Sequence, residues 1–174
     1  MPRARALTPH AVPRGARAAA AALLLVLGAC GFHLRGTASL PFQSISIASQ
    51  SPLALELGRN IVAGSNARVL TKGEADAIFD LLGEQRDKII LSLSTSGQPR
   101  EYQLRYRVAY SLHDLKGGVY IAPTTLIVRR DITFNDQVLA KEYEEQLLYQ
   151  DMQSDMVQQI LRRMQASKLH APDD

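Results

Sequence analysis

The sequence has one cysteine, no tryptophan and no long hydrophobic run, and these shortages exclude several classes of protein. Cys30 is the only cysteine among 174 residues, so no disulfide can form within the chain. The longest apolar run, residues 18–27, has ten residues. A transmembrane helix needs roughly 20 apolar residues, so this run is too short to cross a bilayer.

The apolar run belongs to a predicted targeting segment. Positive charge precedes the run, and the small residues Gly28 and Ala29 follow it. A basic region, a short apolar core and a small-residue cleavage site are the layout of a secretory signal peptide, here residues 1–29. The positive charge comes from Arg3, Arg5, Arg14 and Arg17.

Cys30 is predicted to carry a lipid. The run Leu27-Gly28-Ala29-Cys30 is similar to a bacterial lipobox, in which the thiol takes a diacylglycerol and the new amino terminus is acylated. Two or more acyl chains hold a protein stably on a membrane, whereas one does so only marginally. The alternative is an ordinary buried or free cysteine, which its position at the end of the apolar run disfavours. Gly31 in place of Asp favours export to the outer membrane, by resemblance to enterobacterial lipoproteins.

Cleavage before Cys30 changes the charge balance. The full chain has 20 basic and 17 acidic residues, and the signal peptide holds four of the basic residues and none of the acidic ones. The remaining chain therefore has 16 basic and 17 acidic residues, or a net charge of about −1. Because no global basic excess remains to neutralise phosphates, nucleic acid is not an expected partner.

Few residues suit catalysis or metal binding. The four histidines are far apart in sequence, with no carboxylate or cysteine at metal-ligand spacing: His10, His33, His113 and His170. There is no Gly-x-Ser-x-Gly elbow and no glycine-rich phosphate loop. The acidic cluster Glu142, Glu144 and Glu145 is typical of a solvated helix face. The sequence therefore predicts no catalytic residues, no cofactor and no metal, and a protein that is not an enzyme.

The first half of the remaining chain predicts a tether, a strand and a helix. Residues 30–42 contain Gly, Ser and Thr without a period, which indicates a lipidated linker. Alternation over residues 44–48 predicts a short strand, and residues 68–70 a brief strand or an edge. Between them, Ser51 and Pro52 are a helix cap and first turn. The helix is predicted to bury Leu53, Leu57 and Ile61, which recur every four residues.

The second half predicts three long strands and a helix. Residues 77–93 are predicted as one strand with an exposed centre, or as two strands. Apolar and polar residues alternate strictly over residues 102–112, which predicts a second strand. The third strand, residues 123–134, follows a predicted hairpin loop at 116–118. In the last strand, either one of Arg129 and Arg130 points to the covered side or a bulge shifts the register. A methionine-rich stripe then predicts a helix to about residue 166.

These elements predict an α+β fold, a two-layer sandwich with two helices packed on one face of a mostly antiparallel four-stranded sheet. The single domain is expected over residues 43–168, followed by a disordered tail at 169–174.

A local group of cations lies in an otherwise neutral domain. Arg100, Arg105 and Arg107 lie on the alternating strand or at its start, Arg129 and Arg130 on the next strand, and Lys141 at the head of the last helix. Arginine suits phosphate and carboxylate because its planar fork donates two parallel hydrogen bonds. The alternative is scattered solvated charges that pair with nearby glutamates such as Glu101, Glu142 and Glu144.

Four stretches resemble one lipoprotein family. The run from Cys30 to Gly36, Cys-Gly-Phe-His-Leu-Arg-Gly, is similar to the mature start of the LPS-assembly lipoprotein family LptE. Residues 97–104 (Gly-Gln-Pro-Arg-Glu-Tyr-Gln-Leu), 139–145 (Leu-Ala-Lys-Glu-Tyr-Glu-Glu) and 155–163 agree in order and spacing.

The resemblance implies a non-catalytic outer-membrane lipoprotein. It would plug the large barrel LptD as a 1:1 heterodimer, help that barrel assemble, and assist delivery of lipopolysaccharide to the outer leaflet. It would lie inside the barrel lumen or face the periplasm. Tyr120 and Pro123, expected in the hairpin loop, are candidate barrel contacts.

The resemblance also implies a lipopolysaccharide site. Within the family, contact is associated with the Lys of Leu-Ala-Lys, which is Lys141, and with a basic residue in the turn before Glu-Tyr-Gln. That turn position is Thr95 here, and Arg100 is the proposed substitute. Arg105 and Arg107 are expected helpers. A generic periplasmic scaffold lipoprotein with no barrel partner is the alternative reading of the whole chain.

Overall fold

The computed structural model describes residues 39–70, 74–133 and 138–170, with the side chains of the last helix described from Glu142 onward. The predicted signal peptide, Cys30 and the tether up to residue 38 lie outside the described residues. So do residues 171–174 of the predicted tail.

Two helices and five strands make up the described chain. Their bounds are β1 Ser44–Ile47, α1 Pro52–Gly64, β2 Arg68–Leu70, β3 Ala77–Leu93, β4 Pro99–His113, β5 Val119–Thr133 and α2 Val138–Ala166. The strands form one sheet in the order β2-β1-β3-β4-β5. β1 is parallel to β2 and β3, whereas β3, β4 and β5 are antiparallel neighbours. The predicted α+β class is confirmed, but the strand count of four is wrong because residues 68–70 pair with β1.

The sequence explains where α1 begins and ends. The Ser51 hydroxyl accepts a hydrogen bond from the Ala54 N–H at 3.2 Å, and Pro52 occupies the first turn, where no N–H partner is needed. At the other end, the Ser65 N–H donates to the Ile61 carbonyl at 3.0 Å. The predicted stripe of Leu53, Leu57 and Ile61 is buried.

The core lies between the sheet and both helices. The residues of β4 that share one face are buried: Leu104, Tyr106, Val108, Tyr110 and Leu112. They belong to one cluster with the predicted stripe of α2, namely Met152, Met156, Ile160 and Met164. The helices also meet directly, since the Gln153 amide and the Ser154 hydroxyl both donate to the Glu56 carboxylate at 2.7 Å. Both helices therefore cover one face and leave the other face of the sheet open.

A bulge in β3 changes which residues face the helices. Leu81 pairs with Tyr110 and Gly83 with Ala109, so Leu82 is the extra residue. Before the bulge, Ala77 and Phe79 are buried. After it, the parity is reversed, because one extra residue turns every later side chain to the other face. Residues 77–93 are thus one strand, and its odd apolar residues do not share a face.

The apolar residues at the far end of β3 show the effect of this bulge. Ile89 pairs with Gln103 on the open face, and Leu91 and Leu93 are 49% and 58% exposed. The β3–β4 hairpin extends beyond the core, and Ile90, Leu91 and Leu93 near its turn are each about half exposed.

The second hairpin is tighter than the sequence indicates. β5 begins at Val119, so Tyr120 and Pro123 lie within the strand, and the prediction that they lie in the loop is wrong. Pairing continues to His113 and Val119 because Asp114 closes the loop. Its carboxylate accepts from the Lys116 and Gly118 N–H groups at 2.8 and 2.6 Å. Tyr120 packs edge-on against Phe42, with ring centroids 5.6 Å apart.

Arg129 and Arg130 lie in a regular stretch of β5. The register pairs Arg130 with Leu104 and Arg129 with Arg105, with no shift between Glu101 and Tyr110. Arg130 therefore points to the helix side, where its guanidinium forms an ion pair with Asp155 of α2. The first alternative from the sequence, one arginine toward the covered side, is the observed one.

The chain after α2 returns to the sheet. His170 forms an antiparallel bridge with Val119, and each N–H donates to the other carbonyl at 2.9 Å. Residues 169 and 170 of the predicted tail thus contact the free edge of β5 at its start.

Candidate functional site

Arg105 lies on the open face of the sheet, where neighbouring side chains hold it. Its Nε donates to Gln103 Oε1 at 2.9 Å. Gln103 Nε2 in turn donates to Asp131 Oδ1 of β5 at 3.0 Å. The guanidinium is therefore oriented by an amide that a carboxylate fixes across the strand pair.

Arg107 is held in a similar way from the other side. Its Nη1 donates to Gln85 Oε1 of β3 at 3.2 Å, and its Nη2 lies 3.8 Å from Asp87 Oδ2. Gln85 Nε2 donates to Asp87 Oδ1 at 2.8 Å. We call these six residues the open-face network: Gln85, Asp87, Gln103, Arg105, Arg107 and Asp131. Two arginines and two carboxylates make the network neutral overall, which is less cationic than the sequence indicates.

Arg100 and Lys141 lie at the hairpin end of the domain. Arg100 is exposed at the start of β4, and it has no ion pair among the described residues. Lys141 lies in the first turn of α2, one turn before Glu145. Glu145 contacts Lys88, which pairs with Leu104 on the sheet. The head of α2 therefore lies above the same end of the sheet as Arg100.

Two further cations on the helix side were missed by the sequence analysis. The Lys88 ammonium forms an ion pair with Glu145 Oε2 at 2.5 Å and lies near the Tyr102 ring. The Arg86 guanidinium carbon is 5.1 Å from the centroid of the Tyr106 ring and 5.4 Å from that of Tyr149. These distances are in the range of cation–π attraction.

The bulge explains why they were missed. The sequence places Arg86 and Lys88 in the exposed centre of β3, and the parity change at Leu82 and Gly83 turns them toward α2. A glycine inside a strand pattern is the one available signal for such a bulge. We call Lys88, Arg100 and Lys141 the hairpin-end cluster.

A buried tyrosine lies beneath Arg86. The Tyr106 hydroxyl donates to Glu84 Oε1 at 2.6 Å. Burial of the ring, followed by the hydrogen bond and charge of Glu84, raises the pKa of Tyr106 far above its usual value. Tyr106 therefore stays protonated at any physiological pH and acts as a hydrogen-bond donor, not as a base.

The described part of the chain offers binding chemistry. Among residues 39–70, 74–133 and 138–170, no three His, Cys, Asp or Glu side chains come together in a way that could hold a metal ion. The described helices also include none with the length and apolar character needed to span a membrane. What the arrangement provides is a positioned Lys88 ammonium on the helix side and a polar, hydrogen-bonded open face.

The fold defines a class: small two-layer α+β domains with a five-stranded mixed sheet. The sequence model of the LptE family, described as lipopolysaccharide-assembly, matches residues 42–164. The chain therefore belongs to the LptE family of lipopolysaccharide-assembly lipoproteins, and the predicted family is confirmed.

Relatives and solved structures agree with this assignment. The LPS-assembly lipoprotein LptE of Photorhabdus laumondii is 29% identical over 150 residues, which cover 81% of this chain and 80% of that protein. The solution structure of an uncharacterized lipoprotein B from Nitrosomonas europaea is 39% identical, with a TM-score of 0.68 over 78% of this chain and 91% of the other. A minor lipoprotein from Acinetobacter baumannii, 21% identical, shares the fold with a TM-score of 0.62 over 77% of this chain and the whole of the other.

Proposed function

We propose that this protein is an outer-membrane lipoprotein that sits inside the LptD barrel as a 1:1 partner. There it helps the barrel assemble and helps deliver lipopolysaccharide to the outer leaflet. Family membership supports this proposal. The observation that carries it is that the chain segments bearing Lys88, Arg100 and Lys141 lie at the same end of the sheet, in a domain that has no net basic charge.

The anchor is assigned to Cys30. A lipidated Cys30 would hold the chain on the membrane through several acyl chains, since each buried methylene adds about 0.8 kcal/mol to membrane binding. With the barrel depleted, since the barrel would otherwise retain the protein, a Cys30→Ser variant is expected to be released from outer-membrane fractions, while the fold described from residue 39 onward is unchanged. Retention of this variant in the membrane fraction without any partner would contradict the assignment.

The ligand site is assigned to the hairpin-end cluster. Lipid A carries phosphates, and Lys141 and Arg100 are the groups proposed to contact them. Lys88 lies on the helix side of the same end, where Glu145 holds its ammonium in place. Arg105 and Arg107 contribute indirectly, because their guanidiniums are already engaged in the open-face network.

The open face is assigned to the barrel wall. Polar groups that become buried cost free energy unless they are hydrogen-bonded. The open-face network satisfies part of its donors and acceptors internally, and a polar lumen wall can supply hydrogen-bond partners for the rest. A catalytic role is not part of the proposal.

The first test is purification of the tagged, lipidated protein from detergent-solubilised outer membranes, followed by mass identification of what is bound. One large barrel in equal amount is the expected result. A folded and lipidated sample that brings down no barrel would overturn the plug role and favour a periplasmic scaffold.

The second test addresses the ligand site. A Lys141→Asp and Arg100→Asp double variant is expected to lose most of its affinity for lipopolysaccharide. The matched control is an Arg59→Asp and Lys116→Asp double variant, which reverses two charges at exposed positions on α1 and in the β4–β5 loop. Unchanged binding by the first variant, with an unchanged circular dichroism spectrum, would exclude the assigned site.

A further inference from the structure

The β4–β5 loop and the chain after α2 meet at one end of the domain. The Asp114 N–H donates to the Gly118 carbonyl at 2.8 Å, so residues 115–117 form the tip of the loop. Leu169 lies against this loop, because a Cβ atom at Gly118 would be 2.8 Å from Leu169 Cδ1. The antiparallel bridge at the start of β5 holds Leu169 in this place. We call residues 114–118 and 168–170 the loop end of the domain.

Two leucines at the loop end are exposed. Leu115 is 57% exposed at the tip of the loop, and Leu169 is 48% exposed where it lies against the same loop. Single exposed leucines are common on protein surfaces, but these two belong to neighbouring segments that are distant in sequence. Lys116 and Lys168, which adjoin them in sequence, are also exposed. Apolar side chains beside long basic ones fit the boundary of a membrane, where ammonium groups reach back to the water.

The described chain begins near the loop end. Phe42 is buried, and its ring centroid lies 5.6 Å from that of Tyr120, which is two residues after the loop. Leu40 also packs against the core. Ser39, the first described residue, is therefore only three residues from a contact with the start of β5.

The length of the chain before Ser39 limits how far this end can be from a membrane. The predicted anchor, Cys30, precedes Ser39 by nine residues, which span about 30 Å at most when fully extended. β4 leads away from the loop end for 15 residues, or about 50 Å. Acyl chains on Cys30 would thus keep the loop end near a bilayer, whereas the turn of the β3–β4 hairpin can lie much farther away.

Charge does not explain a membrane contact at this end. The two lysines are offset by Asp173 and Asp174 in the last residues of the sequence. The Asp114 carboxylate adds a further negative charge, although N–H groups of the loop engage it. An anionic surface therefore has no advantage over a zwitterionic one, and the exposed leucines are the groups that a bilayer would bury.

We propose that the loop end is a membrane-contact surface, on which Leu115 and Leu169 enter the boundary between the headgroups and the acyl chains of a phospholipid bilayer. The inference rests on the anchor assigned to Cys30 in the proposed function, and it does not depend on the plug role. It concerns the lipidated protein before it enters the barrel, when the anchor holds the domain directly at the bilayer. The hairpin-end cluster then lies at the opposite end of the sheet, away from the membrane.

The absence of tryptophan from the chain permits a site-specific fluorescence test. Leu115→Trp is introduced into the full lipidated protein, which is reconstituted without the barrel in vesicles of phosphatidylethanolamine and phosphatidylglycerol. Lipids brominated on their acyl chains are expected to quench its emission, because a side chain buried about 5–10 Å into the boundary comes close to the bromines. Replacement of phosphatidylglycerol by phosphatidylcholine should leave the quenching unchanged, since the contact is apolar.

Leu93→Trp is the matched control. Leu93 is 58% exposed, as Leu115 nearly is, but it lies at the other end of the β3–β4 hairpin. Its quenching is expected to be at least about twofold weaker than that of Leu115→Trp, because it does not reach the boundary. Circular dichroism spectra check that both variants are folded. Equal quenching of the two would overturn the proposal, because the domain would then lie flat on the bilayer, and no quenching of Leu115→Trp would overturn it as well.

Flotation of the same vesicles separates this inference from the anchor assignment. If the lipidated protein floats with the vesicles but Leu115→Trp is not quenched, the anchor stands and only the membrane-contact surface fails. If the protein does not float with the vesicles, the anchor assignment fails and this inference fails with it. Because the sample contains no barrel, neither result bears on the plug role.

Discussion

The ammonium nitrogen of Lys88 lies 4.4 Å from the centroid of the Tyr102 ring. The two residues are diagonal neighbours on the helix side of the β3–β4 pair, since Lys88 pairs with Leu104 and Tyr102 with Ile90. The ring restricts where the charge can lie, and Glu145 on α2 restricts it further. Lys88 thus becomes a positioned cation on the helix side of the β3–β4 pair.

Removal of the Lys88 charge tests this positioning. Lys88→Met keeps an apolar side chain of similar length, so the free energy of unfolding should fall by less than about 1 kcal/mol. Lipopolysaccharide affinity should fall by about fivefold, because one positioned cation is lost. Lys116→Met in the β4–β5 loop is the matched control. Equal effects of the two substitutions on affinity would show that Lys88 has no special role.

A substitution at Gly118 tests whether the residues after α2 depend on their contact with the start of β5. A Cβ atom at this position would lie 2.8 Å from Leu169 Cδ1 and 2.9 Å from Asp114 Oδ2. Gly118→Ala must therefore displace Leu169 and disturb the carboxylate that closes the loop, at a cost of about 1–2 kcal/mol in the free energy of unfolding.

Urea unfolding and amide exchange measure these effects. The His170 amide, which donates to Val119, should exchange faster in the Gly118→Ala variant. Gly64→Ala is the control, since a Cβ there meets nothing within 4 Å. Unchanged exchange at His170 would show that the last residues do not depend on this contact.

His113 predicts a pH dependence of stability. The hydrogen bond of its ring to the Asp114 carbonyl raises its pKa, burial opposes this, and Asp80, whose Oδ2 lies 2.8 Å from Nε2, raises it further. A raised pKa in the folded state adds stability below the unfolded value of about 6.5, and that stability is lost as the pH rises through the folded pKa.

His113→Gln should therefore lower the free energy of unfolding more at pH 5.5 than at pH 8.5. Both partners are partly exposed, so solvent screening keeps the difference below about 1 kcal/mol. Urea titrations at the two pH values measure it. A larger cost at pH 8.5 would contradict the sign.

Asp76 predicts a pH dependence of stability opposite to that of His113. Its carboxylate accepts hydrogen bonds from the Ser44 hydroxyl and N–H at 2.9 Å and from the Gln43 N–H at 3.1 Å. The Ser44 hydroxyl is the largest cause of its lowered pKa. The stability this adds is present above the usual carboxyl pKa and is lost as the pH falls through the lowered folded value.

Asp76→Asn should therefore lower the urea midpoint at pH 7, and the difference from the unaltered protein should narrow in acid. Glu74→Gln, a neighbouring exposed position, is expected to leave the midpoint unchanged at both pH values. A gap that widens in acid would show that Asp76 does not act through its charge.

The regular spacing of apolar residues in the sequence predicted most of the fold. The strict alternation of β4 identified the buried face from Leu104 to Leu112, and the four-residue spacing of methionines identified the buried stripe of α2. Both signals are local, because one covered face of a strand or helix imposes its period on the sequence. The Ser51-Pro52 start of α1 was equally readable.

The features that depend on pairing between distant residues could not be fully predicted from the sequence. The extra residue Leu82 has no local signature beyond Gly83, yet it decides that Lys88 faces α2. The three residues of β2 are too few to show a period, so the sequence predicts only a brief strand or an edge there, and their pairing with β1 makes them a strand of the sheet. The engagement of Arg105 and Arg107 likewise depends on the register that sets Gln85, Asp87 and Asp131 beside them.

The position of β1 sets an order of assembly. β3, β4 and β5 are joined by short turns, so they can zip together from contacts close in sequence. β1 is the first strand in the sequence, but its two neighbours in the sheet, β2 and β3, begin 24 and 33 residues after Ser44. We therefore expect the three-stranded meander to form early and β1 to dock late, which leaves the amino-terminal end of the described chain the last to be committed to the folded domain.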